Sequence, residues 1–353
     1  MKKKLYAMAT TVVLLTLLGS RIFAKESPLF QSDDPIELIL EADLLAIIED
    51  KSDEPEYKQA LLIQKLSAHE IHAFEIKVKP RGNTRRVTEL CDFPPLKFNF
   101  KKKQLTNTIF EGQDKLKFVS KCRNEDEFQN YVFEEYLLYK TYSLITEESY
   151  RTRLVNITIK DSKLRIPALK MSGFLIEDDK SLAKRLGVKE LKKIAYSRDS
   201  CTDSSVDRLA MFQFMIGNTD WYINTRHNID VFQSNKNNEL FPVPYDFDYS
   251  GVINTRYAIP SRAIPITNVK QRYFKGSCRN IDEYGATIEL FNNKKEEIFA
   301  LYNSFNYLPR GVIKKSLRYF TRFYKIINNQ DLVNESFYNV CNTTFPKLSA
   351  RNK

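Results

Sequence analysis

The feature that most constrains this chain is a change of hydrophobic period along its length. In the first half, apolar residues recur every second position in short runs at 36–42, 60–63, 71–78, 154–159 and 170–176. Leu96, Phe98 and Phe100 alternate with Lys97 and Asn99, and Leu116 and Phe118 alternate with Lys115 and Lys117. A period of two predicts strands buried on one face. Between 123 and 145 the period lengthens, and Phe128, Tyr131, Val132, Glu135, Leu138, Tyr139, Tyr142 and Ile145 fall on one face of a long helix. The second half reads differently. Helices are expected at 206–216, closed by Gly217, and at 288–305 and 311–327, with two short strands at 229–232 and 241–244. Sheet-rich first and helix-rich second predicts an α+β chain of two parts with a cleft between them.

The amino terminus carries a separate signal. Lys2, Lys3 and Lys4 precede an uncharged stretch from Leu5 to Ser20, and Ile22-Phe23-Ala24 offers a small-residue cleavage site. This is the pattern of a secretory signal peptide over 1–24, with an uncharged stretch too short for the roughly 20 residues that span a bilayer. The remaining chain divides into a polar leader (25–35), a sheet-rich part (36–177), a helix-rich part (178–345) and a tail (346–353). No later run is apolar enough to span a membrane, so no integral membrane segment is expected after cleavage. Losing Lys2, Lys3, Lys4 and Arg21 takes the formal charge from +11 to about +7. The remaining cations are scattered, so a nucleic-acid partner is not expected.

Five cysteines pass into a compartment that permits disulfides. None forms a CxxC, and with His69, His72 and His227 the only histidines, a structural zinc or a Cys–His nucleophile is disfavoured. Cys91 and Cys122 flank the two strands that carry Lys97 and Lys117, and a bridge between them is expected.

The chemistry concentrates in two loops. One runs from Gly217 to Asn228 and holds Asp220, Asn224 and Asn228; the other is Pro244-Tyr-Asp-Phe-Asp-Tyr-Ser-Gly251, with Asp246 and Asp248. The loops stand at the same end of two neighbouring strands, so they converge hard oxygen donors on one place. Mg²⁺ beside a triphosphate is held in this way, by one or two carboxylates, an amide oxygen and the phosphates. Asp and Asn are also ordinary turn and cap residues, so composition alone stops at a metal site.

The string from Gly217 to Phe232, with Phe241 to Gly251, resembles the CotH-like kinase family, and so does the turn Arg81-Gly82-Asn83-Thr84 followed by Leu96-Lys97-Phe98. The blocks Cys91–Leu96 and Gly112–Lys117 fit an exported bacterial branch of that family, secreted or periplasmic. The likeness covers roughly 36–280. It implies a protein-kinase-like two-lobed fold with a sheet-rich N-lobe, one long helix and a helix-rich C-lobe. It also implies ATP and Mg²⁺ (or Mn²⁺) as cofactors, with an exported protein as phosphoacceptor. Asp220 takes the role of catalytic acceptor of the hydroxyl proton. Asn228, with Asn224 as its competitor, takes the amide metal ligand, and Asp246 the main carboxylate ligand, with Asp248 a second. Phe247 is expected to pack under its loop. Arg81, Gly82 and Asn83 form the turn over the nucleotide. The phosphate-positioning lysine is Lys97 or Lys117, and its carboxylate partner is Glu135, whose place on an apolar helix face requires a cation, with Glu134 on the flank.

The glycine-rich phosphate loop of protein kinases is not visible here, and the spacing from Asp220 to Asn228 is longer than in ordinary protein kinases. A catalytically inactive envelope or interaction protein is therefore the alternative reading. A metal-dependent hydrolase, using the same aspartates to hold a metal-activated water, is a third.

Overall fold

The structure, a computed structural model, describes residues 27–82, 84–87, 89–192 and 196–342, without the side chains of Thr84 and 338–342. The expected signal peptide, the tail 346–353 and Asn83 lie outside the described residues. Seven strands build the first part: β1 (Ile36–Ala42), β2 (Lys58–Lys65), β3 (Ile71–Pro80), β4 (Leu96–Phe100), β5 (Lys115–Val119), β6 (Thr152–Asp161) and β7 (Leu169–Ile176). They do not form the open sheet of a two-lobed kinase-like fold. They close into a barrel in the order β1-β2-β3-β4-β5-β7-β6, antiparallel throughout except where β1 pairs in parallel with β6, Ile36 against Val155.

This corrects the fold expected from the sequence, and the reason is physical. Alternation along a strand states only that one face is buried. An open sheet covered by helices and a closed ring satisfy it equally. The contact that decides between them joins segments far apart in the chain and leaves no local trace. Inside the ring, Leu38, Phe74, Phe98, Leu116, Phe118 and Ile157 are buried together, each contributing roughly 1.5–3 kcal/mol. Leu29 and Phe30, in the segment read as a polar leader, join this core. The closing strands need a glycine. A Cβ on Gly173 of β7 would lie 2.4 Å from the Phe118 ring and 2.5 Å from the Val119 carbonyl.

The outer faces of β6 and β7 are apolar as well: Leu154, Phe174 and Ile176 pack into a second core. Its centre is α2 (Asp126–Ile145), the long helix. The apolar face expected from the sequence is buried, but so are Phe133, Tyr136, Leu137 and Thr141 on its other sides. A helix covered all round is enclosed by neighbours, here β6 and β7 on one side and α5 (Gly285–Ser304) on the other. The second part adds α3 (Asp179–Leu186), α4 (Asp203–Ile216), α6 (Arg310–Ile327) and α7 (Gln330–Asn342), with a small sheet of β8 (Val188–Leu191), β9 (Ile229–Ser234) and β10 (Leu240–Pro244) in the order β10-β9-β8. Short α1 (Leu44–Ile48) completes the seven helices of the described residues. None of them is long and apolar enough to cross a membrane.

The Cys91–Cys122 bridge is present, with Cα atoms 4.6 Å apart, inside the roughly 4.4–6.8 Å disulfide window. It clamps the chain entering β4 to the chain leaving β5. Cys201 is a free, buried thiol.

Candidate functional site

A cleft of about 530 Å³ lies between the barrel and the helical part. Pro95, Val119 and Ile176 from the barrel form its apolar wall, and Asp220, Asn228, Asp246, Asp248 and Glu135 its acidic side, with Arg81, Gly82 and Arg85 across from them.

The first loop begins where α4 must stop. Gly217 has φ +67, and a Cβ there would sit 2.0 Å from the Tyr319 hydroxyl, so only glycine closes this helix. The Asn218 side chain accepts the Asp220 N–H at 3.0 Å, turning the chain so that Asp220 faces the cleft. Tyr222 and His227 then exchange two backbone hydrogen bonds, at 3.0 and 2.9 Å, which pinch the loop shut. Arg226 and Asn228 are both left-handed, at φ 53 and 54. Such backbone costs free energy and persists where its surroundings enforce it.

The pinch brings three side chains together. The Asn228 amide donates to the Asp220 carbonyl at 2.8 Å and to its carboxylate at 3.0 Å. The His227 Nε2 lies 2.8 Å from the other Asp220 oxygen. Both carboxylate oxygens are thus oriented, while the side chain stays 37% exposed to the cleft. Because the Asn228 side-chain nitrogen is committed to Asp220, the side-chain oxygen Oδ1 is the atom it has to offer a ligand.

The second loop is fixed from two sides. The Tyr245 N–H donates to the Asn228 carbonyl at 3.0 Å, linking the loops, and the Asp246 N–H donates to the Tyr139 hydroxyl of α2 at 2.9 Å. Asp246 itself is left-handed, at φ 63. Phe247 is fully buried beneath it, 4.7 Å from the Tyr139 ring and 5.4 Å from Phe212. Burial, and then the charge of Asp248, push the Asp246 carboxyl above the usual carboxylate range.

Arg85 is the residue that the sequence does not point to. It follows Arg81 closely in the chain, and its guanidinium meets Asp248 at 2.8 and 3.1 Å, Glu135 at 3.3 Å and the Tyr257 hydroxyl at 3.2 Å. Glu135 therefore has a cation, as its burial demands, but the cation is an arginine rather than Lys97 or Lys117. Burial still holds the Glu135 carboxyl above its ordinary range, with Arg85 pulling it down.

The remaining expected residues lie elsewhere. Lys117 pairs with Asp179 of α3 at 3.0 Å, over the rings of Tyr150 and Tyr245. The Tyr150 hydroxyl lies 2.6 Å from Asp230, which binds Arg226 at 2.6 Å, and 3.0 Å from Asp179, so Lys117 belongs to a polar relay running behind the cleft. Lys97 faces Lys117 across the β4–β5 ladder, and burial with that neighbouring ammonium pushes its amine down. Neither lysine lines the cleft. Asn224 is exposed, and its backbone carbonyl accepts the Tyr196 N–H. Glu134 faces away, toward Ser316 of α6 at 3.2 Å.

The donor chemistry of the cleft suits a hard cation. The Asp246 carboxylate and the Asn228 side-chain oxygen are hard ligands, and burial, ahead of the charge of Asp248, raises the Asp246 carboxyl. Among the described residues no group of three or more His, Cys, Asp or Glu side chains is arranged to hold an ion unaided. Mg²⁺ bound beside phosphate takes one or two carboxylates and completes its shell with phosphate and water. Compared with the known protein families and with curated proteins, the chain matches none.

Proposed function

We propose that this cleft transfers the terminal phosphoryl group of a metal-bound nucleoside triphosphate, ATP with Mg²⁺ or Mn²⁺, to a hydroxyl of an exported protein. The observation that supports the reading is Asp220. Its carboxylate is held through both oxygens by Asn228 and His227, opens to the cleft and stands across from a second acidic loop. In the step proposed, the acceptor oxygen bonds to the terminal phosphorus as the bridging P–O bond breaks, the nucleoside diphosphate leaves with that electron pair, and Asp220 takes the acceptor's proton. Asp246 and Asn228 would hold the cation, which when bound would supply charge to neutralise the phosphates. Arg81, which lines the cleft without a carboxylate partner at ion-pair distance among the described residues, is placed to meet a phosphate oxygen. The apolar wall of Pro95, Val119 and Ile176 suits the flat face of a base.

The signal-like amino terminus is the basis for an exported location. The test is binding: the mature protein takes up ATP only with Mg²⁺ or Mn²⁺, and Asp246→Ala abolishes that uptake. Equal binding by both proteins defeats the metal assignment.

One observation favours a second reading. Arg85 already bridges Glu135 and Asp248, so a guanidinium does part of the neutralising that a metal would do. On that reading the chain is a non-catalytic envelope or interaction protein, and no pair of nucleotide and metal raises its melting temperature.

A further inference from the structure

The loop that carries Asp220 is held from beneath by a segment that follows it far along the chain, Arg272 to Gly276. It carries two cations, Lys275 buried and Arg272 half-buried. Arg272 donates to the carbonyls of Phe214 and Met215 at the end of α4, at 3.0 and 3.2 Å, and stacks 3.7 Å over Tyr319. A helix end leaves its last carbonyls short of intrahelical partners, and the Phe214 carbonyl also accepts the Gly217 N–H at 3.2 Å. Lys275 reaches the loop itself. Its ammonium donates to the carbonyls of Thr219 at 2.8 Å and Trp221 at 2.6 Å, the two residues on either side of Asp220. The same ammonium sits 3.5 Å from the centre of the Tyr222 ring and 5.1 Å from that of Trp221. Arg198 fixes the segment in turn, donating to the carbonyls of Lys275 and Gly276, both at 2.8 Å.

Lys275 is 7% exposed and, among the described residues, has no carboxylate at ion-pair distance. A buried cation is costly unless it is satisfied, and here two carbonyls and two ring faces satisfy it. A hydrophobic residue would fill the space without that cost. What an apolar residue cannot do is hold the carbonyls on both sides of Asp220 inward, which turns the intervening side chain outward to the cleft.

We propose that Lys275 is the positioning residue of the acceptor loop: it fixes the backbone on both sides of Asp220 so that the carboxylate meets the acceptor hydroxyl. The proposal rests on the phosphoryl-transfer reading for its kinetic consequence, though not for its structural one. Lys275 touches neither nucleotide nor acceptor, so its removal lowers kcat and leaves nucleotide affinity alone. Residues that only stabilise the fold do not produce that split.

The test uses the mature chain and Lys275→Met. Trp221 is the only tryptophan, so its emission reports the position of the loop directly. The expected result is a shifted emission, ATP affinity within about threefold of wild type and kcat lowered by about 100-fold, the scale of a misplacement near 1 Å. A folded variant with wild-type kcat overturns the proposal. Should Lys275→Met not fold, Tyr222→Leu decides: it removes one ring from the ammonium and keeps both carbonyl bonds. A kcat lowered by about tenfold at unchanged ATP affinity supports the proposal, and unchanged kcat overturns it. If wild type itself shows no turnover, the phosphoryl-transfer reading fails. The hold on the loop is then judged by Trp221 emission in the variant, where an unchanged spectrum overturns it.

Discussion

Arg85→Met tests the electrostatics of the cleft most directly. The substitution keeps the bulk of the side chain and removes the cation between Glu135 and Asp248, whose side chains are 2% and 10% exposed. Removing one partner of a buried pair costs about 3–5 kcal/mol, because the other charge is left unpaired. The orphaned carboxylates have one escape, which is to take up a proton. Glu135 already has a folded-state value raised by burial, and Arg85 is what restrains it. Without Arg85 it rises further. A group with a raised folded value adds stability below its unfolded value and loses it as pH rises through the folded one. The penalty therefore grows with pH. Urea unfolding followed by Trp221 emission should show the variant less stable by about 3–5 kcal/mol at pH 8.5 and by less than about half of that at pH 5. The double variant Arg85→Met/Glu135→Gln removes the cation and one orphaned charge together, and should recover about 1–3 kcal/mol at pH 8.5. A single variant within about 0.5 kcal/mol of wild type at pH 8.5, or a penalty independent of pH, would refute the bridge.

Two further outcomes concern stability alone. Burial pushes the Glu134 carboxyl from 4.5 up to about 8, so its contribution is full below pH 4.5 and is lost by pH 8, on the order of 5 kcal/mol. Glu134→Gln should flatten the stability profile between pH 5 and 8 in urea titrations, and parallel profiles would contradict this. The Cys91–Cys122 bridge closes a loop across a separation of 31 residues, for which chain entropy gives about 3–4 kcal/mol. The Cys91→Ser/Cys122→Ser variant should lose that much in urea, and a loss below about 1 kcal/mol would show that the unfolded chain is already restricted there.

The acidic loops could be read in the sequence because they are local. Gly217, Asp220 and Asn228 stand between one helix and one strand, and Asp246 and Asp248 follow the next strand of the same hairpin, so two short connections bring them together. Glu135 could be read because a lone carboxylate on an apolar helix face demands a partner. The partner could not. Lys97 and Lys117 look alike in the sequence, but the β4–β5 register sets them side by side, and the acid that takes Lys117 is Asp179, at the start of the short α3 far along the chain. Arg85 was hidden by its proximity to Arg81, within a segment that looks like a hairpin turn. Lys275 has no local signature, since its partners are backbone carbonyls and any residue could supply those. Barrel closure is the extreme case: every strand was visible, and the pairing of β1 with β6 was not.

That pairing has a consequence for how the chain comes together. A ring has no free edge, so no barrel strand is left as a template for a second chain. It also means that the sheet cannot splay, and any widening of the cleft must pass to the chain crossing from β7 into α3 and to the ends of α2. Synthesis runs the other way. β1 gains β2 directly after the short α1, but its second neighbour, Thr152–Asp161, follows only after β3, β4, β5 and the whole of α2. Contacts of such separation form late, because their loop must be closed first. The first strand of the barrel to be made is among the last to be paired on both sides.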